Sequence, residues 1–241
     1  MHQHRFFAEN PLRTGDALTL SPDESRHITK ALRLGPGAAV TLFDGRGREA
    51  TGVITEASPR AVQVAVRETK IVERGPRPAL HLLVPWLNQP QRLDWLIEKI
   101  TELGVQRVTA FRVEERTTLA RVERWRRLAI AAAKQSGQAW LPTIDVTPDA
   151  TPFQVTGVQT RILFSERAGV ARLRAVLDNL SPVGSPLETL ALALGPEEGF
   201  EASEEREAAD GGWRLASLGP TRLRSETAAL AAVIGVRVSL G

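Results

Sequence analysis

Two Leu-Gly-Pro triplets, each followed by charged residues, form the part of this sequence best suited to do chemistry. They open the stretches 194–200 and 218–227, and a third polar segment, Ser165-Glu166-Arg167, follows an apolar run. Glycine lets a backbone approach a ligand closely, and proline stiffens the loop. One such segment alone would be an ordinary turn between a strand and a helix. The repetition favours one shared ligand pocket, because the carboxyl ends of parallel strands meet at one edge of a sheet.

The remaining motifs exclude several classes of site. The chain has no GxxxxGK phosphate loop, and Gly45 and Gly47 lack the third glycine of a GxGxxG fingerprint, which disfavours nucleoside triphosphate and dinucleotide chemistry. The composition includes no Cys, so disulfides, thiolate metal sites and a Cys nucleophile are excluded. The four His have no metal-ligand spacing, and we expect no metal site.

Strands and helices alternate in the part of the sequence that carries the polar segments. Strands are predicted at 80–84, 105–113, 161–164, 189–194 and 213–218, and helices at 91–103, 122–139, 170–180, 202–210 and 225–238. Such alternation predicts an α/β fold with a parallel sheet that is covered by helices on both faces.

The N-terminal region has a different pattern. Short strands are predicted at 17–20, 38–43, 51–55 and 61–66, with a turn at 44–47 and one helix at 23–34. This pattern predicts a small, partly open β-barrel at 1–73. The Pro- and Gly-containing stretch 74–78 predicts a linker to a second domain at 79–241.

Charge is distributed unevenly along the chain. The 31 Lys and Arg residues against 28 Asp and Glu residues leave a formal charge of +3, and only four of the cations are Lys. Arg suits planar, bidentate contacts to phosphate. The stretch 195–211 holds seven acids and one base, so the rest of the chain is basic. This separation predicts salt-sensitive RNA binding by a surface beside an acidic helix.

The sequence shows no pattern typical of a targeting or membrane-spanning segment. Its first residues, Met-His-Gln-His-Arg-Phe-Phe, contain no apolar run of the signal-peptide type. The longest uncharged apolar stretch, near 227–236, is far shorter than the roughly 18 residues that a spanning helix needs. We expect a cytoplasmic protein that does not contact a membrane.

A set of short motifs, spread over nearly the whole chain, resembles one known family. The motifs are Arg5-Phe6-Phe7, His27-Ile28-Thr29-Lys30-Ala31-Leu32-Arg33, Lys99-Ile100-Thr101-Glu102-Leu103-Gly104-Val105, Gln135-Ser136-Gly137, Leu194-Gly195-Pro196-Glu197 and Leu218-Gly219-Pro220-Thr221-Arg222-Leu223-Arg224-Ser225-Glu226-Thr227-Ala228. In this order and spacing the set resembles the RsmE family of 16S rRNA uridine-N3 methyltransferases. The segments Thr-Glu-Leu-Gly and Leu-Arg-Ser-Glu-Thr-Ala are the most specific.

The resemblance implies a fold, a cofactor and partners. It implies an N-terminal PUA-like RNA-binding β-barrel and a C-terminal SPOUT domain whose last part is threaded into a trefoil knot. S-adenosylmethionine would bind in that knot, folded on itself against backbone groups, with Leu223 beside the adenine. The protein would act as a homodimer on one uridine in the decoding region of 16S rRNA, in the assembled small ribosomal subunit. The implied cofactor contacts are Phe164, Ser165, Glu166, Leu194, Gly195, Pro196, Glu197, Gly199, Ser217, Leu218, Gly219, Leu223, Arg224 and Ser225.

The implied reaction suggests catalytic candidates. Methylation of uridine N3 needs no covalent adduct, whereas methylation of pyrimidine C5 normally needs the Cys that this chain lacks. Arg224 is the candidate for stabilising the developing uracil anion. Glu226 or Glu197 is the candidate for accepting the N3 proton or orienting a water molecule. Both acids also have a structural explanation, since Glu226 suits the first turn of a helix and Glu197 can accept hydrogen bonds within its loop.

Arginines supply the candidate RNA contacts. A single surface Arg is usually only solvated, and Glu123 could pair with Arg127 along a helix. We expect Trp125 and Trp140 in a core or an interface rather than as platforms for stacked bases. The candidates are Arg5, Arg33, Arg46 and Arg48 in the barrel and Arg116, Arg121, Arg124 and Arg127 in the second domain.

Three positions depart from the family pattern. Glu198 stands where the family usually has a glycine, Lys134 where it usually has an acid, and Gln138 where it usually has Arg. Glu198 would be strained if its backbone needed a positive φ. These departures leave two alternatives open, a related knotted methyltransferase with another RNA target and a non-catalytic RNA-binding protein that has lost cofactor affinity through Glu198.

Overall fold

The structure, a computed structural model, describes residues 4–113, 118–149, 151–180 and 187–240. The contacts divide the chain into two compact units, Met1–Arg74 with Ile130–Leu141 and Gly75–Ala129 with Pro142–Gly241. The sequence pattern predicts residues 130–141 within the second domain, because helical periodicity shows that a helix exists but not which neighbours it packs against. The domain limits at 73 and 79 stay predictions.

The first unit is built on a five-stranded sheet. The first and third strands along the chain pair in parallel, and the other neighbours pair antiparallel. The four predicted strands are present, whereas β1 is missed because three residues are too few for an alternation to show. The strands are β1 (Arg5–Phe7), β2 (Ala17–Thr19), β3 (Ala39–Phe43), β4 (Arg48–Ala57) and β5 (Val62–Ile71), in the order β1-β3-β4-β5-β2.

The helix predicted at 23–34 is shorter and less regular than expected. Helix α1 (Pro22–Arg26) begins after Ser21, whose Oγ accepts a hydrogen bond from the backbone N–H of Glu24, and it continues as a π-helical segment at His27–Ala31. Arg33 then adopts a left-handed conformation with a φ of 54°, which is uncommon for a residue other than glycine. The candidate RNA contact Arg33 therefore lies on irregular backbone.

The interior of the first unit follows the apolar pattern of the sequence. Val62, Val64 and Val66 are all buried, so the alternation on β5 is confirmed. Gly47 adopts a φ of +88°, and a Cβ at this position would lie 2.2 Å from the ring of Trp140. The indole Nε1 of Trp140 donates to the carbonyl oxygen of Val72 at 2.9 Å. Trp140 therefore packs as a structural residue of the first unit.

The second unit contains a six-stranded parallel sheet. Each strand pairs in parallel with its neighbours, in the order β11-β9-β10-β6-β7-β8, which confirms the expected α/β class. The strands are β6 (Ala79–Pro85), β7 (Arg107–Phe111), β8 (Thr143–Val146), β9 (Thr160–Phe164), β10 (Thr189–Ala193) and β11 (Arg214–Ala216). The other helices of the chain are α2 (Pro90–Glu102), α3 (Thr118–Ser136), α4 (Leu173–Asp178), α5 (Ala202–Asp210) and α6 (Ser225–Leu240).

The strand order places the three polar segments together. Strand β9 lies between β10 and β11, and it pairs with both. Because the pairs are parallel, the carboxyl ends of these strands open at the same edge of the sheet. The segments that begin at Ser165, Leu194 and Ser217 are therefore neighbours, as predicted.

Three helices illustrate how the sequence determines where a helix begins and which face it buries. Helix α5 has the predicted bounds, because Glu201 and Glu204 form a capping box at its start. Helix α2 buries its apolar stripe, which includes Leu93 and Ile97. Trp125 of α3 is buried as expected, and its Nε1 donates to Asp94 Oδ1 at 2.9 Å.

Two kinds of feature are absent from the described part of the chain. No helix within it is long and apolar enough to cross a membrane. Within the same residues, no three or more His, Asp or Glu side chains form a group that could hold a metal ion.

One histidine of the second unit is kept neutral by its surroundings. His81 lies on β6, largely buried, with Nε2 at 2.8 Å from Thr109 Oγ1. Burial, together with the nearby positive charge of Arg107, lowers the pKa of His81 to about 4, although Asp145 acts in the opposite direction.

The low pKa of His81 predicts a pH-dependent stability. The unfolded chain takes up the proton near pH 6.5, whereas the folded chain does so only near pH 4, so this contribution is present above pH 6.5 and is lost as the pH falls toward 4. Between pH 7.5 and pH 5, we expect a loss of about 1–2 kcal/mol in the free energy of unfolding. Urea unfolding of the wild type and of His81→Asn at both pH values measures this loss. An equal loss in both proteins would contradict this assignment.

Candidate functional site

The three loops at the edge of the sheet enclose a pocket of about 350 Å³. Its volume lies at the lower end of the range of roughly 300–1,000 Å³ that is typical of small-molecule sites. The wall consists of residues 164–167, 194–196, 198–200 and 217–223, with Glu205, Ser225 and Ala228. The pocket therefore lies where the Leu-Gly-Pro segments predict it.

Most of the predicted cofactor contacts line this pocket. Glu197 and Arg224 do not belong to its wall. Eight residues of the wall are not among the predicted contacts: Arg167, Glu198, Phe200, Glu205, Pro220, Thr221, Arg222 and Ala228. The residues that do line it are Phe164, Ser165, Glu166, Leu194, Gly195, Pro196, Gly199, Ser217, Leu218, Gly219, Leu223 and Ser225. Their contacts with a cofactor stay a prediction.

Backbone hydrogen bonds hold the loops in place. The N–H of Ser165 donates to the carbonyl of Ala216, and the N–H of Leu194 donates to the carbonyl of Leu83, both at 2.9 Å. Ser225 Oγ donates to the carbonyl oxygen of Gly195 at 3.3 Å. A Cβ at Gly195 would lie 3.2 Å from the backbone of Gly199, a tight contact that favours glycine at this position.

The expected strain at Glu198 is not present. Gly199 adopts the left-handed conformation of this turn, with a φ of +83°, while Glu198 is not among the positive-φ residues. The turn closes with a 2.9 Å hydrogen bond from the N–H of Gly199 to the carbonyl of Pro196. Glu198 therefore needs no left-handed backbone conformation, and it is one of the residues that line the pocket.

Arg92, a residue that sequence reasoning missed, binds both candidate catalytic acids. It lies in the first turn of α2, and its Nε and Nη2 donate to Glu226 Oε2 at 2.9 and 2.6 Å. Its Nη1 pairs with Glu197 Oε1. Arg92 and Glu226 are both buried for most of their side chains. No local pattern could have shown this pair, because 134 positions separate the two residues.

The ion pair sets the charge of Glu226. Burial acts to raise the pKa of Glu226, but the hydrogen bonds from Arg92, a backbone N–H and the charges of Arg92 and Arg224 outweigh it, so the pKa is lowered. A carboxylate with a lowered pKa and an occupied oxygen is a weak proton acceptor. The assignment of Glu226 or Glu197 as the base stays a prediction, and this arrangement does not favour it.

Arg224 lies just outside the pocket wall. It directly precedes α6, its side chain is exposed, and its carbonyl oxygen accepts a hydrogen bond from the N–H of Ala228 at 2.8 Å. No ion pair or side-chain hydrogen bond joins its guanidinium to another described residue. The guanidinium is therefore exposed, on a residue between Leu223 and Ser225 of the pocket wall.

Further charged groups line the pocket in pairs. Ser165 Oγ donates to the buried Glu205 at 2.7 Å, and Arg167 Nε lies 3.0 Å from the other oxygen of Glu205. Arg222 Nε lies 3.3 Å from Glu166 Oε2. Arg222 also donates to the carbonyl oxygen of Glu197.

The candidate RNA arginines of the first unit fall into two groups. Arg5 is largely buried, its Nη1 lies 2.6 Å from Glu49 Oε1, and it also donates to the carbonyl oxygen of Gln138, so it has a structural role. Arg33 and Arg46 are exposed, and Arg48 is half-buried. Asp44 Oδ1 accepts hydrogen bonds from the backbone N–H groups of Arg46 and Arg48, which holds their turn.

In the second unit, one acid organises the predicted arginine stripe. Arg121 and Arg124 lie 3.2 and 2.7 Å from the buried Asp94 carboxylate. Arg127 is exposed, and Arg116 lies outside the described residues. The stripe thus contributes to packing at two of its three positions.

The two departures on α3 and after it have partners within the first unit. Lys134 Nζ lies 2.9 and 2.8 Å from the two oxygens of Glu24. Gln138 offers its backbone carbonyl to Arg5. Lys134 therefore has a structural partner, whereas the contact of Gln138 comes from its backbone and does not depend on its side chain.

We predict that Arg92 and Glu226 are strongly coupled. Arg92→Ala leaves a buried carboxylate without its partner, so it should lower the free energy of unfolding by about 3–5 kcal/mol. In the Glu226→Ala background the same change should cost much less. Urea unfolding of the two single variants and the double variant measures the coupling, and additive effects would show that the pair is energetically unimportant.

Comparison with known proteins identifies the two parts of the chain. Residues 75–236 match the model of an RNA methyltransferase domain, and residues 20–67 match that of an RNA methyltransferase PUA domain. The chain is 29% identical to ribosomal RNA small subunit methyltransferase E of Mycobacterium bovis, over 97% of this chain and 90% of the relative. It is 25% identical to the protein of the same name from Bacillus subtilis, over 96% and 95%.

Solved structures show the same relationship. The ribosomal RNA small subunit methyltransferase E of Neisseria gonorrhoeae, bound to S-adenosyl methionine, has a TM-score of 0.81 and 25% identity over 98% of both chains. A protein from Legionella pneumophila in complex with the bound cofactor SAM has a TM-score of 0.81 and 26% identity, covering 99% of this chain and 98% of that one. The SPOUT class with a PUA-like N-terminal domain is confirmed, as is the resemblance to the RsmE family, and the chain belongs to the RNA methyltransferase family.

Proposed function

We propose that this chain is an S-adenosylmethionine-dependent methyltransferase that modifies N3 of one uridine in the decoding region of 16S rRNA, in the assembled small subunit. The observation that carries the proposal is the pocket at the carboxyl ends of β9, β10 and β11, within an RNA methyltransferase domain. The small-subunit target is supported by the names of the relatives. The choice of uridine N3 is supported by the RsmE-like motifs.

The wall of the pocket suits S-adenosylmethionine. Leu194, Leu218 and Leu223 offer apolar sides for an adenine ring, and the glycine backbone at 195 allows close approach to the ligand. Acidic groups on the wall complement a cationic ligand. When bound, S-adenosylmethionine supplies a methyl group attached to a positively charged sulfur.

The protein's own groups act on the uracil. N3 must lose its proton, to Glu226, Glu197 or a water molecule, and take up the methyl group, so negative charge develops on the ring and its carbonyl oxygens. Arg224, which is exposed and lies between two residues of the pocket wall, would stabilise that charge. The fixed loops align the two reactants, which by itself accelerates a two-partner reaction strongly.

RNA would bind through exposed arginines of both units. Arg33 and Arg46 in the first unit and Arg127 in the second are exposed, and Arg48 lies on the same turn as Arg46. Arg5, Arg121 and Arg124 already have carboxylate partners, so they contribute to RNA binding less directly. Arg116 remains a candidate from the sequence alone.

The proposal includes a homodimer and a knot. Helix α6 exposes Ile234 and Val238, which lie one helical turn apart, and α2 exposes Trp95. Such apolar side chains favour burial against another chain, and a second copy is the partner that the family resemblance implies. The trefoil threading of the C-terminal part and a cytoplasmic location belong to the same proposal.

The activity can be tested directly. Unmethylated small subunits, incubated with the protein and cofactor labelled in the methyl group, should yield N3-methyluridine at one decoding-region position. Gly195→Val, which pushes a side chain against the Gly199 backbone, is the inactive control. Label in another nucleoside or RNA would support a different target, and neither label nor cofactor binding would support a non-catalytic RNA-binding protein.

Arg224→Ala should separate catalysis from cofactor binding. Because Arg224 lies outside the pocket wall, the Kd for S-adenosylmethionine should change less than 2-fold, while kcat should fall about 100-fold through lost charge stabilisation. Arg214→Ala, which removes another exposed arginine, is the matched control and should keep its activity. An unchanged kcat in Arg224→Ala would exclude the assigned role.

A further inference from the structure

The side chains that line the pocket carry an uneven charge. Three carboxylates, Glu166, Glu198 and Glu205, face two guanidiniums, Arg167 and Arg222. Two of the carboxylates are paired, since Arg222 lies 3.3 Å from Glu166 and Arg167 lies 3.0 Å from Glu205. No hydrogen bond or ion pair joins the Glu198 side chain to any residue that the structure describes. The wall therefore retains one negative charge without a protein partner.

The turn that carries Glu198 fixes the position of its backbone. Gly199 takes the left-handed conformation, and its N–H closes the turn on Pro196. Gly195 packs against the backbone of Gly199 on the other side. Glu198 thus lies on a braced segment, its backbone φ is not positive, and it is a residue of the pocket wall.

The ligand of the proposed function changes its charge during the reaction. S-adenosylmethionine carries a positive sulfonium, whereas S-adenosylhomocysteine, formed when the S–CH₃ bond breaks and the N3–CH₃ bond forms, has a neutral thioether. The two molecules otherwise share the same adenosine, amino and carboxylate groups. A negative charge on a residue of the pocket wall therefore attracts the first more than the second.

We propose that Glu198 is a specificity residue that makes the pocket prefer the charged cofactor over its neutral product. The inference rests on the proposed function. Because the Glu198 side chain is exposed and screened by water, its contribution has the size of a surface ion pair, which corresponds to about 2- to 5-fold in Kd. The preference shortens the time for which the product occupies the site.

The same charge has a defined kinetic effect. The positive charge on sulfur decreases as the methyl group moves, so Glu198 stabilises the bound cofactor more than it stabilises the transition state. Removal of the charge should therefore raise the KM for the cofactor and leave kcat unchanged or slightly higher. A residue that only maintains the shape of the pocket would not change the KM for the cofactor while leaving kcat unchanged.

The test is calorimetric binding of three ligands to the full chain and to Glu198→Gln, which keeps the size and removes the charge. S-adenosylmethionine should bind 2- to 5-fold more weakly to the variant, while the Kd for S-adenosylhomocysteine should change less than 2-fold. The analogue with a protonated amine in place of the methylsulfonium should follow S-adenosylmethionine. In 0.5 M salt the difference should shrink, because exposed charges are screened. Asp210→Asn, which removes an exposed charge outside the pocket, should leave all three unchanged.

The outcomes distinguish the inference from the function on which it rests. Equal weakening of all three ligands in Glu198→Gln would overturn charge selection, and so would unchanged binding of all three. In both cases the wild type still binds the cofactor, and the proposed function stands. Failure of the wild type to bind S-adenosylmethionine at all would instead overturn the proposed function.

Discussion

The parallel pairing of β9 with β10 on one side and β11 on the other is the constraint on which the candidate site depends. The register sets Phe164 beside Ala216 and Leu163 beside Ala193, so three strand ends lie within about two strand spacings of one another. The hydrogen bond between Ser165 and Ala216 extends the pairing into the loops. The shape of a pocket made largely of loop backbone depends on this strand pairing, since it is set by where the strands end rather than by individual side chains.

Ion pairs of one arginine then connect the loops to the helices. Arg92 joins the start of α2 to the loop after β10 and to the first turn of α6, through Glu197 and Glu226. The pair with Glu226 is buried, so separating it would leave an uncompensated charge, whereas Glu197 is exposed. Within the described residues, Arg224 and Glu198 are left without side-chain partners at the same site. Their charged groups are therefore free to form an ion pair with a bound ligand.

Much of the second unit is predictable from short-range patterns. The capping box gave α5 its predicted bounds, and apolar runs located the strands that end at the pocket. The Leu-Gly-Pro segments predicted the pocket because glycine and proline have a local conformational reason to be there. Strands β1 and β8 were missed, since they are short and β8 is partly polar.

The features that could not be predicted are long-range ones. The pairs of Arg92 with Glu226 and of Lys134 with Glu24 join residues more than a hundred positions apart. The sequence analysis therefore gave Glu226 a role as a free acid and Arg5 a role in RNA binding, although both have buried partners. The expected strain at Glu198 was wrong for a local reason, because the neighbouring Gly199 takes the left-handed conformation instead.

The central claim is that the three loops bind S-adenosylmethionine. A crystal structure of this chain grown with S-adenosylmethionine tests it most directly. The account predicts the adenosine against loops 194–199 and 217–223, held mainly by backbone groups, with Arg224 facing the methyl group from outside the wall. Cofactor bound elsewhere on the chain, or an empty pocket at saturating cofactor, would contradict the account.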